Sequence, residues 1–378
     1  MFFVLFRGYC MNNFPDWLDP VPYMAQVEQA QRRDVLAALA TTQPTIAEFA
    51  TLLSPAATDE LEALAQRAKQ LTRGHFGNTI QLYAPLYLSN YCTGGCSYCG
   101  FSSDRKQPRH KLTEAQLQTE MSALRQMHIE EILLLTGERT PQANFDFLHS
   151  SVKAAAAHFP KVTVEAFGMT EDEYRVLNDA GCTGITLYQE TYDPVLYEEC
   201  HRWGEKRDFA YRIAAPDRAF RAGLRTVGIG ALLGLGNPIA ESISLYQHAI
   251  HLMKTHWQGG ISLSFPRLRP ESGGFTSPHP ADEKRLAQII FAFRICFPNV
   301  PLVLSTREAA AFRDGMAGIG INKMSVASRT TVGGYENGRA EDEGQFEIDD
   351  GRDVETFCSM LRQQHLEPVF KNWDAVFR

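Results

Sequence analysis

Residues 90–101 read NYCTGGCSYCGF and place Cys92, Cys96 and Cys99 within eight residues. The two glycines between the first two cysteines allow the backbone to bend closely around a bulky group. Three thiolates are too few for a structural zinc site, which usually takes four ligands. They suit a cubane [4Fe–4S] cluster in which the protein holds three irons and leaves the fourth open. The alternative, a loop of ordinary thiols, is disfavoured because free cysteines are scarce and rarely cluster in this way.

The composition is that of an ordinary globular protein. The chain has 378 residues, of which 44% are apolar and 21% charged, and its net charge is −7. This length fits one α/β barrel of about 250 residues with extensions, or two to three smaller domains. The absence of a basic block argues against nucleic acid as a partner. No apolar run approaches the roughly 18 residues that span a bilayer, so we predict no membrane association.

The first ten residues, MFFVLFRGYC, are apolar but contain Arg7. They lack a basic start and a small-residue cleavage site, so we do not interpret them as a signal peptide. Met11 opens a more typical soluble sequence, and we expect translation to begin there rather than at Met1. The intact mass of the native protein would test this expectation.

The other cysteines are scattered and show no disulfide framework, which predicts a reducing, cytoplasmic location. They are Cys10, Cys182, Cys200, Cys296 and Cys358.

Short apolar segments alternate with helical ones from Thr79 to about Thr330. Eight such repeats with nearly continuous apolar strands predict an α/β fold, a parallel (β/α)8 barrel of the TIM type. A doubly wound sheet is the alternative, but no G-x-G-x-x-G follows the first strand. The predicted strands are Ile80–Leu88, Glu131–Thr136, Val162–Phe167, Gly184–Tyr188, Thr226–Leu232, Ile261–Phe265, Leu302–Leu304 and Lys323–Val326.

Three regions follow from this pattern. Residues 1–74 are predicted to form a helical N-terminal extension, with a capping box at Thr45 and Glu48. Residues 75–330 form the barrel, and its helix that begins at Thr113 carries a similar box, TEAQ. Residues 331–378 lose the strand pattern and are predicted to be a partly irregular C-terminal extension that packs on the barrel.

Polar residues and glycines collect where the predicted strands end. These ends read SNYC, TGE, FGMT, YQET, LLGLG, PRLRP, STRE and SVAS in chain order. In a barrel they are the carboxyl ends of the strands, where active sites are built. The sequence therefore predicts an active site at this end, with the cysteine segment as part of it.

The segment CTGGCSYC, after the first strand and with an aromatic residue before its third cysteine, resembles the signature of the radical S-adenosylmethionine (SAM) superfamily. The stretches LYLSNYCTGGCSYCGF, ILLLTGE, YQETY and SFPRLRP with LSTRE are similar to the tyrosine lyases (2-iminoacetate synthases) of thiamine thiazole biosynthesis. The resemblance extends from about Leu61 to the C-terminus. It implies a radical SAM barrel with a [4Fe–4S] cluster on Cys92, Cys96 and Cys99.

The resemblance also implies a reaction and partners. SAM would chelate the open iron, and one electron would cleave it to methionine and a 5′-deoxyadenosyl radical. Hydrogen abstraction from the amino group of L-tyrosine and cleavage of its Cα–Cβ bond would give 2-iminoacetate (dehydroglycine) and p-cresol. The thiazole synthase ThiG would receive the imine, and a flavodoxin- or ferredoxin-type protein would supply the electron.

Five residues are expected, from the resemblance, to bind SAM. Tyr98 would lie near the adenine, or pack as a core aromatic residue. Gly137 and Glu138 would meet the methionyl amino group, although a carboxylate there could instead favour a helix start. Glu190 could accept hydrogen bonds from the ribose hydroxyls. Arg212 could meet the SAM carboxylate, with a surface salt bridge as the alternative.

The tyrosine carboxylate calls for a planar, bidentate guanidinium. Arg307, at the end of the seventh strand, is the first choice, and Arg267 and Arg269 are second choices. Ser305 and Ser325 could hydrogen-bond the amino or carboxylate group of the substrate. Tyr87, five residues before Cys92, could contact the phenol or simply pack in the core.

Three rival functions stay open. The related tyrosine lyase of [FeFe]-hydrogenase maturation has a C-terminal extension with additional cluster cysteines, whereas Cys358 stands alone here. A tryptophan lyase shares much of the scaffold. A non-catalytic iron–sulfur electron carrier would normally use four cysteine ligands and would not need a barrel mouth of this kind.

Overall fold

A computed structural model describes residues 14–336 and 344–370. Eight parallel strands close into a barrel, because β1 pairs with both β8 and β2. This closure confirms the predicted (β/α)8 barrel, and the doubly wound alternative is wrong. The strands are β1 Thr79–Tyr87, β2 Glu131–Leu135, β3 Lys161–Glu165, β4 Gly184–Thr186, β5 Thr226–Gly230, β6 Gly260–Ser264, β7 Leu302–Leu304 and β8 Lys323–Ser325.

Helices cover the outside of the barrel. Their apolar faces pack on the strands, so outward strand residues are apolar and the inward face can carry polar groups. They are α6 Glu114–Gln126, α7 Phe145–Ala156, α8 Glu171–Asp179, α9 Pro194–Cys200, α10 Phe209–Ile213, α11 Ala215–Arg221, α12 Pro238–Thr255, α13 Glu283–Cys296 and α14 Ala310–Met316; five helices precede them in the chain. None of the helices in the described ranges is long and apolar enough to cross a membrane.

The described part of the N-terminal region is helical. Its helices are α1 Val21–Gln29, α2 Arg32–Ala40, α3 Ile46–Leu52, α4 Pro55–Asp59 and α5 Leu61–Phe76. Gln288 of α13 holds this layer on the barrel, since its amide donates to the carbonyl oxygens of Leu52 at 3.0 Å and Ser54 at 2.9 Å. Residues 1–13, and with them the expected start at Met11, lie outside the described residues.

Both predicted capping boxes are confirmed. The backbone N–H of Thr45 donates to Glu48 before α3, and that of Thr113 donates to Gln116 before α6. Each box satisfies backbone groups that a helix start otherwise leaves unpaired.

The C-terminal region adds a ninth strand that the sequence pattern did not indicate. After α15 (Val354–Gln363), strand β9 (Glu367–Val369) pairs in parallel with the first residues of β1. A three-residue segment with a central proline shows no period that could predict a strand. Residues 337–343 and 371–378 lie outside the described part, and the division into three regions stays a prediction.

Candidate active site

Cys92, Cys96 and Cys99 line one cavity at the carboxyl end of the barrel, which we call the cysteine cavity. Backbone N–H groups of Gly94 and Glu138 donate to the Cys92 sulfur at 3.3 and 3.4 Å. Such N–H bonds to sulfur are typical of iron–sulfur ligation. No group of three or more His, Cys, Asp or Glu within residues 14–336 and 344–370 could hold a single metal ion. A cubane spreads its ligands over three irons, so three thiols around one cavity fit it.

Burial raises the pKa of all three thiols, to about 11 for Cys92. Iron takes up thiolates, so ligation would release protons from these cysteines. Their surroundings thus differ from those of a reactive nucleophilic cysteine, whose pKa is lowered.

Close backbone contacts hold the cysteine loop in place. A Cβ on Gly137 would lie 2.5 Å from the carbonyl oxygen of Tyr91 and 2.7 Å from the Cβ of Cys92, so only glycine fits there. Gly95 likewise packs directly on the ring of Trp203, and its N–H donates to the Trp203 carbonyl oxygen at 3.0 Å. Gly137 also lines the cysteine cavity, so its small size matters directly for the cavity wall.

Arg109 ties the two ends of the loop together. Its guanidinium donates to the carbonyl oxygens of Asn90 at 2.7 Å, Phe101 at 2.9 Å and Ser102 at 2.6 Å. Sequence analysis missed this role because arginines that bond to backbone carbonyls carry no local motif.

Four charged side chains form a buried network in the cysteine cavity. The ammonium of Lys206 donates to Glu190 at 2.6 Å, and Arg212 lies 3.7 Å from Glu190 and 3.6 Å from Glu138. Arg212 is only 6% exposed, so the surface salt bridge considered for it is wrong. Helix α7 begins seven residues after Glu138, at Phe145, so the helix-start interpretation of that carboxylate is wrong as well.

Four of the five residues predicted for SAM line the cysteine cavity. Gly137 and Glu138 follow β2, Glu190 follows β4 and Arg212 lies in α10. Glu190 has a φ of 71°, a left-handed conformation that costs energy in a residue other than glycine and that occurs at functional sites. Lys206 is an addition that the sequence analysis did not assign to the site.

Tyr98 lies behind the cysteine loop. Its hydroxyl is 2.7 Å from Nε2 of His201, and its ring is buried with Cys96, Cys200 and Leu232. It is not among the described residues that line the cysteine cavity. The structure therefore favours core packing over the adenine contact that the resemblance implied.

A second cavity, which we call the arginine chamber, adjoins the first. Tyr87, Leu135 and Glu165 line both cavities, and they are neighbours in register across β1, β2 and β3. These three side chains form the boundary between the two spaces. The predicted substrate residues Ser305, Arg307, Ser325 and Tyr87 all line the arginine chamber.

Arg307 differs from the two arginines that were its alternatives. Its guanidinium stacks 3.3 Å from the centre of the Phe346 ring and makes no ion pair or hydrogen bond within the described residues. Arg267 is bound by Glu308, with Nε at 3.0 Å from Oε2, and Arg269 is paired with Asp349. Only Arg307 of the three keeps its donors available, which supports the first choice for the substrate carboxylate.

The other predicted substrate residues have protein partners. The Ser325 hydroxyl accepts from the N–H of Thr306 at 3.1 Å, and the Ser305 hydroxyl accepts from that of Arg307 at 3.4 Å. The Tyr87 hydroxyl donates to Oε1 of Gln345 at 2.8 Å. The two serines thus shape the STRE segment as well as lining the chamber.

Three further chamber or cavity residues were not predicted. Gln345 and Phe346 come from the irregular C-terminal region, where no pattern pointed to the site. Glu165 ends β3, and burial raises its pKa to about 7 although Arg307 opposes that effect. The alternation in Lys-Val-Thr-Val-Glu, residues 161–165, was a usable signal, since the polar positions are the inward ones.

Comparison with known proteins agrees with this site. Residues 86–248 match the Radical SAM superfamily, and residues 264–367 match the Biotin and Thiamin Synthesis associated domain. The fold is thus that of a radical SAM barrel, whose cofactors are a [4Fe–4S] cluster and SAM.

The chain is 42% identical to the 2-iminoacetate synthase of Escherichia coli (strain K12), over 97% of this chain and 98% of that protein. It is also 42% identical to the 2-iminoacetate synthase of Salmonella typhimurium (strain LT2), over 87% of each. A crystal structure of HydG, a maturase of the [FeFe]-hydrogenase, superposes with a TM-score of 0.90 at 29% identity, covering 95% of this chain and 81% of that one. The chain belongs to the 2-iminoacetate synthase family.

Proposed function

We propose that this chain cleaves the Cα–Cβ bond of L-tyrosine to give 2-iminoacetate and p-cresol for thiamine thiazole biosynthesis, while SAM becomes methionine and 5′-deoxyadenosine. Family membership supports the reaction. The observation that carries the substrate class is Arg307, which lines a chamber next to the three cysteines and has no ion pair among residues 14–336 and 344–370. When bound, the cluster and SAM supply the radical that abstracts hydrogen from the substrate amino group.

The chain's own groups in the cysteine cavity bind and orient the cofactors. Cys92, Cys96 and Cys99 hold the cluster. Glu138, Glu190 and Arg212, with Lys206, surround the space next to it with buried charges of both signs. Such a preorganised set suits a zwitterionic ligand, because buried charges in fixed positions need no further reorganisation when the ligand arrives.

The arginine chamber binds the amino acid. Arg307 forms a bidentate pair with the carboxylate. Tyr83, Tyr87, Tyr188 and Phe346 supply aromatic walls that match a phenol ring. The hydroxyls of Ser305 and Ser325 are further hydrogen-bonding groups for the amino or carboxylate end.

The enclosure protects the reaction. The chamber lies inside a closed barrel, and Phe346 and Gln345 cover Arg307 and Tyr87 from the C-terminal side. Exclusion of water and stray hydrogen donors is what a primary radical requires.

We infer the cellular setting from the same function. A thiazole synthase receives the reactive imine, and a flavodoxin- or ferredoxin-type protein supplies the electron. A cytoplasmic location fits, since no cysteine within the described ranges forms a disulfide. Co-purification with the thiazole synthase of the same cell would test the first of these partners.

The decisive experiment is anaerobic incubation of the reconstituted holoenzyme with SAM, a reductant and L-tyrosine. We expect p-cresol and 5′-deoxyadenosine in parallel. L-Tryptophan in place of L-tyrosine serves as the substrate control, with 3-methylindolic acid as its product. SAM cleavage with tryptophan product but without p-cresol would identify a tryptophan lyase, and a cluster that does not bind SAM would leave only an electron carrier.

A further inference from the structure

Glu165 lies at the boundary of two cavities. It is the last residue of β3 and lines both the cysteine cavity and the arginine chamber. Its side chain makes no hydrogen bond or ion pair within residues 14–336 and 344–370. Glu165 is partly buried at the end of β3. Carboxylates withdrawn from bulk water are normally paired, so one that faces two cavities without a described partner is a candidate to bind a ligand.

The other carboxylates around these cavities are already bound. Glu190 accepts from Lys206 at 2.6 Å, and Glu138 lies 3.6 Å from Arg212. Glu308 is held by Arg267. Glu165 alone among the described carboxylates that line the two cavities keeps both oxygens available.

Charged and titratable groups face Glu165 from every side. Arg307 is the strongest attractive charge, followed by Lys206 and Arg212, and Glu190 is the repulsive one. Three tyrosine hydroxyls complete the surroundings, those of Tyr83, Tyr87 and Tyr188. The position thus lies between the guanidinium for the substrate carboxylate and the cavity of the cluster.

The chemistry of the proposed reaction demands a base at this point. Free tyrosine carries an ammonium group at neutral pH. Hydrogen-atom abstraction from nitrogen is favourable only from the neutral amine, whose lone pair stabilises the radical that forms. Serine hydroxyls can accept a hydrogen bond from an ammonium group, but they do not hold its proton at neutral pH. A carboxylate whose pKa is raised by burial can do both.

We propose that Glu165 binds the amino group of the substrate and accepts one proton from its ammonium form before hydrogen abstraction. This inference rests on the proposed function, because it assumes an amino acid held by Arg307. The step converts R–NH3⁺ and Glu–COO⁻ into R–NH2 and Glu–COOH, so charge and protons balance. The same contact selects a substrate that has an amine.

A binding experiment tests the contact without turnover. The probes are L-tyrosine and 3-(4-hydroxyphenyl)propanoate, which lacks only the amine, titrated into the anaerobic, SAM-loaded holoenzyme without reductant. The native protein should bind tyrosine about 10 to 100 times more tightly, as a charge-assisted hydrogen bond implies. Glu165→Gln should reduce this ratio to about threefold or less while affinity for the deamino probe stays the same or rises. Glu62→Gln makes the same carboxylate-to-amide substitution at an exposed position on α5. This matched control should keep the native ratio of the two affinities.

A pH profile separates proton acceptance from simple contact. The rate of p-cresol formation by the native enzyme should fall as the pH drops through about 7, because Glu165 becomes protonated. Glu165→Gln should be at least about tenfold slower at pH 7 and should recover as the pH rises and the substrate amine deprotonates in solution. Glu165→Asp keeps a carboxylate, so its rate of p-cresol formation should still fall at low pH. SAM binding by each variant shows that the variant is folded.

The outcomes are distinct. Glu165→Gln with an unchanged probe ratio and an unchanged pH profile would overturn the role of Glu165 while the lyase assignment stands. A native holoenzyme that neither binds tyrosine nor forms p-cresol would overturn the proposed function, and the inference with it.

Discussion

Two inward-facing glutamates on neighbouring strands show how differently the two ends of this barrel are built. Glu131 is the first residue of β2 and Glu165 the last of β3. Glu131 is only 1% exposed, and it accepts from Gln81 at 2.6 Å and pairs with Lys161 at 3.4 Å and with Lys323. Glu165 has no such partners within the described residues.

The pKa values follow this difference. Burial opposes ionisation of Glu131, but the charges of Lys323 and Lys161 outweigh it and hold its pKa below the ordinary 4.5. Burial wins at Glu165 and raises the pKa to about 7. A buried carboxylate that is paired usually has a structural role. A carboxylate that lacks a partner and has a shifted pKa is typical of a functional site. The amino end of the barrel therefore carries a set of mutually paired charges, Glu131 with Lys161 and Lys323, which we call the polar plug. The carboxyl end keeps charged groups available for ligands.

The largest effect should come from removing a cluster ligand at the carboxyl end. Cys96→Ala leaves two thiols for the cluster, so we expect loss of most iron and sulfide and a decrease in SAM cleavage of at least about a thousandfold. Iron content and 5′-deoxyadenosine formation measure this. Cys296→Ala, on α13 away from the cavity, should keep both, and a variant of Cys96 with native iron content would contradict the ligand assignment.

Breaking the polar plug should damage stability instead of chemistry. Glu131→Ala removes the carboxylate that the buried Lys161 and the partly buried Lys323 share. We expect a decrease of about 3–5 kcal/mol in the free energy of unfolding. Urea unfolding measures it, with Glu165→Gln as the control because that carboxylate has no pair to lose. A loss smaller than about 1 kcal/mol at Glu131 would show that the plug is not a structural element.

The arginine chamber should respond in substrate affinity. Arg307→Ala removes the unpaired guanidinium, and we expect kcat/KM for tyrosine to fall about a hundredfold while SAM binding is kept. Arg269→Ala should change it by about threefold or less, because that side chain is already paired with Asp349. If Arg269→Ala proved the more damaging variant, the carboxylate site would have to move to the PRLRP segment.

The smallest effect should be in the pH dependence of the free energy of unfolding, to which Glu131 and Glu165 contribute with opposite signs. The lowered pKa of Glu131 gives a stabilisation that is present above about pH 4.5 and is lost as the pH falls below it. The raised pKa of Glu165 gives a stabilisation that is present below pH 4.5 and is lost as the pH rises to about 7. Glu131→Gln should therefore be less stable than the native protein at neutral pH, and this difference should disappear in acid. The free energy of unfolding of Glu165→Gln relative to that of the native protein should rise by on the order of 1 kcal/mol between pH 5 and pH 8. Denaturant unfolding at several pH values measures both effects. If the free energies of unfolding of the two variants changed with pH in the same direction, the distinction between the two ends would be contradicted.

Local patterns predicted much of the fold and part of the site. Strand and helix periods located all eight barrel strands. The chemistry of a carboxylate ligand pointed to Arg307 at the end of the seventh strand, and the family resemblance pointed to Glu138, Glu190 and Arg212. They did not point to Glu165 or Lys206, whose surroundings depend on distant neighbours. The resemblance placed Tyr98 near the adenine or in the core, and its ring is buried with Cys96 and with Cys200 and Leu232, which lie more than a hundred positions later.

The sequence by itself determined the cysteine segment, the barrel and the family resemblance, because each of these is written in spacing along the chain. Only the tertiary structure decided which charges are paired among the residues it describes: there Glu131 is paired while Glu165 is not, and Arg267 and Arg269 are occupied while Arg307 is available. It also decided that residues 345 and 346 lie next to Tyr87 and Arg307. The physical reason is that pairing and burial are properties of the whole packed barrel: whether a charge finds a partner depends on strands and loops that are far apart in the chain.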